Sequence, residues 1–346
     1  MKTLIIGGGL SGLAIAEALQ SKGQDYLLLE ARDRFGGRIK TERHSGGDFD
    51  LGPAWFWPGQ PRILSAIDRF NLETFDQYFE GALSTEDENG RIQRGIGFAS
   101  MQGSWRLKGG FSTLTDVLAN RLPPDRKRLN AAVKVLSKTK NGVLVELASG
   151  DIISADRVVL ALPPRVALKI RFAPDLSKRT LQDMMGIATW MAGQAKAVAV
   201  YRSPFWREAG LSGDASSRYG PMVEIHDASL ADSRSAALFG FIGVPPEHRS
   251  DQDELKRHII VQLTRLFGPE AADPVQLYVK DWADDPLTST PADHRPLYTH
   301  PSYGLTQSMI GLWNDKLFFA GTEVAPQFGG YLEGALEAAE NVLKAL

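Results

Sequence analysis

The chain of 346 residues has no cysteine. Disulfides and thiolate-ligated metals are therefore excluded, and redox arguments leave its compartment open. Neither sign of charge is in excess: 39 Lys and Arg against 41 Asp and Glu give a formal net charge of −2. No long Lys/Arg block exists, so nucleic acid is not an expected partner. No apolar run reaches about 18 residues, so no membrane-spanning helix is expected. Metal-ligand spacing is missing too; His226, His258, His294 and His300 read singly, as surface or core residues. No Asp/His/Ser set or nucleophile elbow emerges. A strand that starts at Lys2 gives no sign of a cleavable leader, and a soluble cytoplasmic protein is the expectation.

What is present begins at the N-terminus. A hydrophobic content of 43% supports a large core, with room for two domains or one large interleaved one. Lys2 to Ile6 reads as a short buried strand and runs into Gly7-Gly8-Gly9-Leu10-Ser11-Gly12, which fits G-x-G-x-x-G. The spacing predicts a helix over 13–20 and a second strand, Tyr26 to Leu29, ending in Glu30. This is the pattern of a dinucleotide-binding unit. Gly7 permits the tight turn, Gly9 lets backbone approach a diphosphate, and Gly12 lets helix and strand pack closely. The helix N-terminus, with Leu10 and Ser11 in the turn before it, offers unpaired N–H groups to phosphate. Glu30 stands where an acid accepts a hydrogen bond from a ribose hydroxyl.

Four further stretches carry chemistry. In Glu30-Ala31-Arg32-Asp33-Arg34-Phe35-Gly36-Gly37-Arg38, the glycine pair lets a loop fold back on the diphosphate. Arg38 can offer it a fork of donors. Arg32 suits the adenosine end, and Arg34 reads as solvated. Leu51-Gly52-Pro53-Ala54-Trp55-Phe56-Trp57-Pro58 is an apolar loop suited to a flat ring. Gly193 to Tyr201 reads as a strand of small and β-branched residues with one cation, Lys196, on the face of Val198 and Val200. A charge there is expensive unless paired or functional. Finally, Leu317-Phe318-Phe319-Ala320-Gly321-Thr322-Glu323 is followed by Gly329-Gly330-Tyr331-Leu332-Glu333-Gly334-Ala335 and a last helix.

Taken together, these stretches resemble the flavin-dependent amine oxidase superfamily, monoamine oxidases in particular, over nearly the whole chain. The resemblance implies an α/β fold. A Rossmann-type FAD-binding domain with a parallel sheet (1–65, 106–185 and 285–346) interleaves with a smaller α+β substrate domain (66–105 and 186–284) whose sheet is mostly antiparallel. It places Val133 backbone at the adenine and Trp282 against the flavin. Gly321, Gly330 and Leu332 come near the ribityl chain and the N1–C2=O edge, and Glu323 orients the ribityl chain or the phosphates. Lys196 would hold a water at flavin N5, and Tyr331 would wall the substrate side.

The implied reaction is oxidation of a small-molecule amine to an imine, hydrolysed to an aldehyde or ketone. Oxygen or another acceptor takes the electrons, giving hydrogen peroxide in the case of oxygen. Two departures stand out. The segment between Trp57 and Trp105 is short where monoamine oxidases carry a helical insertion. Pro291 and Ala292 occupy the places assigned to a flavin-linking cysteine and a second cage tyrosine. The expectation is noncovalent FAD, with Trp55, Phe56 or Trp57 replacing the second tyrosine. A desaturase or a renalase-like NAD(P)H oxidase is the alternative on this fold, and Lys196 argues against it. Against a third reading, a binding module without activity, stand both flavin signatures.

Overall fold

A computed structural model describes residues 1–44, 47–231, 235–295, 297 and 299–346. Its centre is a five-stranded sheet in the order Leu317–Phe319, Arg157–Leu160, Thr3–Ile6, Tyr26–Leu29, Lys127–Arg128. All four pairings are parallel. A parallel sheet covered on both faces needs strands that are apolar on both sides. Leu4, Ile5, Leu28, Leu29, Val158, Val159 and Leu160 are fully buried accordingly. Leu10–Ser21 is the crossover helix, and Leu13, Ile15, Ala16 and Leu19 all turn inward. The C-terminal helix Leu332–Ala345 packs beside it.

The second large sheet has seven strands: Gln276–Asp281, Ala195–Tyr201, Ala236–Ile242, Met222–Asp227, Leu211–Ser217, Ala82–Glu86 and Ile92–Arg94. Its pairings are antiparallel except Leu211–Ser217 with Ala82–Glu86. One face is covered by helix Gln252–Phe267, which buries Leu255, Ile259, Leu263 and Leu266. Asp251 caps that helix by accepting from the N–H groups of Asp253 and Glu254. The opposite face packs Val198, Val200 and Phe239 against Ala54 and Trp55. A four-stranded sheet (Ile152–Ala155, Val143–Leu147, Val133–Lys138, Arg171–Ala173) completes the core.

Asn141-Gly142 turns the hairpin between Val133–Lys138 and Val143–Leu147, and residues 87–91 join two strands of the seven-stranded sheet. One boundary differs from the sequence reading. The first helix starts at Leu10, so Gly12 lies inside its first turn. The short strand Thr74–Asp76 pairs antiparallel with Trp105–Leu107. Leu211–Ser217 is a strand that its Gly- and Ser-rich composition hides. Among the described residues, no helix is long and apolar enough to cross a membrane.

Candidate active site

A cavity of about 580 Å³ opens where the two large sheets meet. Gly7 and Gly9 follow the first strand, Glu30 the second, Ala161 and Leu162 the strand Arg157–Leu160, and Gly321 the strand Leu317–Phe319. Four parallel strands thus present their carboxyl ends to one crevice, the expected ligand position in an open α/β sheet. Lys196, Glu224 and Phe241 form the opposing wall, with Trp55, Trp57, Trp282 and Tyr331 between.

The glycine-rich wall is built by close approach. Gly7 has φ of +110°, and a Cβ there would lie 2.5 Å from Ala161 O. The loop at Gly36 and Gly37 folds back, with Gly36 N–H donating to Gly8 O at 2.8 Å. Helix Leu10–Ser21 begins at Gly9 with no side-chain cap, leaving its first N–H groups to the cavity. Leu10, Ser11, Gly52, Pro53 and Ala54 also line it.

Glu30 is buried, and its carboxylate accepts from Gly8 N–H at 2.6 Å and Arg32 N–H at 2.9 Å. Arg32 reaches Asp285 and Thr288 Oγ1, each at 3.0 Å, and so pins the 285–288 segment to the cavity edge. Arg34 corrects its reading as solvated: its guanidinium donates to Phe35 O, Gly37 O and Ile39 O and staples the loop. Arg38 pairs with Glu323 at 2.6 Å. Glu323 is fully buried, and its Oε2 has no partner among the described residues. A buried carboxylate oxygen calls for a donor. An uncapped helix start, a glycine wall, a ribose-type acid and an acceptor still open fit a diphosphate flanked by hydroxyl-rich groups, which is the chemistry of FAD.

On the far wall Lys196 is buried, and its Nζ donates to Gly52 O at 2.7 Å. The ammonium also lies 5.2 Å from the Phe241 ring centre and 5.7 Å from that of Phe239. Burial pushes its pKa down to about 8, against a smaller upward pull from Asp50. Trp282 Nε1 donates to Leu51 O at 2.9 Å, and Lys280 lies over its ring. Tyr331 is 39% exposed and stacks on His300 at 4.9 Å with 9° between planes.

Not every expected residue reaches the cavity. Gly12 and Glu323 sit behind its wall, while Gly330 and Leu332 line it. Val133 lies outside the lining and opens strand Val133–Lys138 opposite Leu147. Trp55 and Trp57 line the cavity, but Phe56 points the other way, buried between Trp105 and Phe111. Pro291 and Ala292 are exposed on a 3-10 turn outside the lining, so the second-cage-residue position does not fall there. The ring against Tyr331 is His300. Sequence reasoning missed Trp190, Met191, Gln194, Glu224 and Phe241 in the wall. The first three precede the lysine strand in an irregular stretch without periodic signal. Glu224 and His226 did carry one, since alternation puts both on one strand face.

A model of the family described as flavin containing amine oxidoreductase matches residues 10–97 and 96–343. The chain belongs to this family. As a flavin containing amine oxidoreductase it is an FAD-dependent oxidoreductase. It is similar to the flavin-containing amine oxidase B of Cavia porcellus, at 25% identity over 99% of this chain and 85% of that protein. The probable flavin-containing monoamine oxidase A of Dictyostelium discoideum is 22% identical over 99% of this chain and 96% of that protein. These alignments run over 448 and 449 positions against 346 residues here, so the relatives carry insertions that this chain lacks. Among solved structures, a wild-type putrescine oxidase bound to putrescine shares the fold. Its TM-score is 0.84 at 22% identity, covering 100% of this chain and 99% of that one. Cyclohexylamine oxidase from Brevibacterium oxydans IH-35A does so with a TM-score of 0.82 at 21% identity, covering 99% and 98%.

Proposed function

We propose that this chain oxidises an amine to an imine, which water hydrolyses to an aldehyde or ketone, while oxygen is reduced to hydrogen peroxide. The observation that supports this most is Lys196, a buried cation on an apolar sheet face, in the same cavity as the glycine-lined cradle. Similar solved structures named for putrescine and cyclohexylamine oxidation add support. When bound, FAD supplies the two-electron acceptor for the carbon next to nitrogen and the route of those electrons to oxygen.

The chain's own residues bind, orient and hold protons. Leu10, Ser11 and the turn before them take the diphosphate, and Glu30 accepts from a ribose hydroxyl. Arg38 holds Glu323 in place while Glu323 takes a ligand hydroxyl on Oε2. Trp55, Trp57, Phe241 and Tyr331 exclude water around the carbon chain of the amine. Lys196 donates to Gly52 O and keeps further donors for a water inside the cavity. The two-domain division given above also belongs to this proposal; the parallel sheet supports the first unit and the seven-stranded sheet the second. So does a cytoplasmic location, which fractionation of the producing cells would test.

Under argon, amines should bleach the flavin and NADH should not. Bleaching by NADH and by no amine would replace this reading with the NAD(P)H oxidase one. The FAD is also expected to be noncovalent, because a chain without cysteine cannot form a cysteinyl link. Acid precipitation should move all yellow colour to the supernatant; a yellow pellet would point to a link through another side chain.

A further inference from the structure

One charged side chain of the cavity wall has no task in the reaction so far. Lys196 pairs with Phe241 and Phe241 with Glu224 across adjacent strands of the seven-stranded sheet. Directly paired residues project to the same face. Lysine, phenyl ring and carboxylate therefore form one row along the wall, with two strand spacings, about 10 Å, between its ends. The lining residues include two carboxylates, Glu30 and Glu224. Glu30 belongs to the cradle, and backbone N–H groups engage both its oxygens. Glu224 stands on the opposite wall.

Its surroundings are built to hold an anion. Oε1 accepts from Ser100 Oγ at 2.7 Å and lies 2.9 Å from His226 Nε2. Oε2 has no hydrogen-bond partner among the described residues, and the side chain is 40% exposed. Behind it His226 is buried, with Nδ1 2.7 Å from Asp214 Oδ1 and its ring edge against Trp55. An imidazole between two carboxylates satisfies both contacts by donating from both nitrogens, as the cation. Two carboxylates and one imidazolium leave one net negative charge, presented at Glu224 Oε2. The contacts of His226 and Ser100 also hold the Glu224 carboxyl below the usual carboxylate range. Between this anion and Lys196 the row offers only the apolar ring of Phe241.

We propose that Glu224 is a subsite for a second cationic group, so that the substrates are linear diamines or longer polyamines rather than simple monoamines. One ammonium end docks on Oε2, methylenes cross Phe241, and the other end reaches the lysine end of the row. His226 and Ser100 occupy Oε1 and leave Oε2 to the ligand, and Asp214 holds His226 in place from its other nitrogen; His226 and Asp214 are positioning residues. This rests on the amine-oxidising reading above.

The test compares α,ω-diaminoalkanes with n-alkylamines of equal chain length on the FAD-loaded protein. Two measurements are made: stopped-flow flavin reduction, and isothermal calorimetry under argon. Wild type should prefer the diamine in both. Glu224→Gln keeps the shape and the Ser100 contact but removes the charge. It should collapse the diamine-to-monoamine ratio of kcat/KM by roughly 100-fold, the scale of one charge-assisted contact. Glu224→Asp should retain part of the preference, and His226→Gln should raise the diamine KM more than it lowers kcat. If monoamines reduce the flavin as well as diamines do, or the Gln variant loses both equally, the subsite is wrong while amine oxidation stands. If no amine reduces the flavin, the amine reading fails and calorimetry alone decides. Diamine binding that is tighter than monoamine binding and lost in Glu224→Gln keeps the subsite; equal binding overturns it.

Discussion

Gly12→Ala is expected to yield protein that purifies without flavin. A Cβ at position 12 would lie 1.9 Å from Gly7 O and 3.3 Å from Ala161 Cβ. Contact under 3 Å with a backbone oxygen needs one partner to move, and neither is free. Gly7 itself is locked at φ of +110° against Ala161 O. The helix must therefore lift off the sheet by more than an ångström. Its first turn carries Leu10 and Ser11, whose N–H groups face the cavity. Ser11 Oγ is also tied to Ala320 O at 2.5 Å, so the displacement spreads to the turn before Gly321. Overpacking of this kind costs about 1–3 kcal/mol or more in stability, and binding suffers further because the donors are aimed wrongly. The ratio of flavin to protein absorbance after purification should fall at least about tenfold, one decade of affinity being about 1.4 kcal/mol. The melting temperature should also drop by several degrees. A fully yellow variant would show that this turn is not the diphosphate site.

That turn was legible because its signals are local: a buried strand, three glycines, a helix and an acid, all within the first thirty residues. Lys196 was legible for the opposite reason, as a charge out of place in an apolar strand. What escaped depends on pieces that only the fold brings together. Arg38 and Glu323 are far apart in the chain, and nothing near either one names the other. Arg34 looked like an ordinary surface arginine because carbonyl acceptors on a folded loop leave no trace in residue types. In Trp55-Phe56-Trp57 the three rings are alike in composition. Phe56 N–H and O pair with Trp105, and that bridge sends its ring away from the cavity. The shared face of Glu224 and His226 could be read, but its alignment with Lys196 required the strand order around Ala236–Ile242. The cage position went to Pro291 and Ala292 by counting from Trp282, and counting fails across a segment with little regular structure.

Lys196→Met is expected to give a folded, yellow and slow protein. Methionine keeps much of the length and can pack against Phe239 and Phe241, the rings now beside the ammonium. FAD should stay bound, because the cradle residues lie on the other wall. Stability should not suffer much, by linkage. Burial holds the folded pKa of Lys196 at about 8, below the ordinary 10.5, so folding favours the neutral amine. Its contribution is present above pH 10.5 and fades as pH falls toward 8, below which the charged form is carried at full penalty. The variant lacks that titration, so its melting temperature should change less than that of wild type across this window. Loss of the bond to Gly52 O partly offsets the gain below pH 8. Activity behaves differently. Without the Nζ donors no cavity water is held at that wall, and flavin reduction, reoxidation by oxygen or both should slow by about 10²-fold, the low end of what one positioned proton-handling group supplies. Stopped-flow traces of each half-reaction, with a substrate found by peroxide screening, assign the step. In wild type the affected rate should show an inflection near pH 8 that the variant lacks. Unchanged rates in both half-reactions would make the lysine a structural residue that neutralises its surroundings, including buried Asp50, and would remove the main support for amine oxidation.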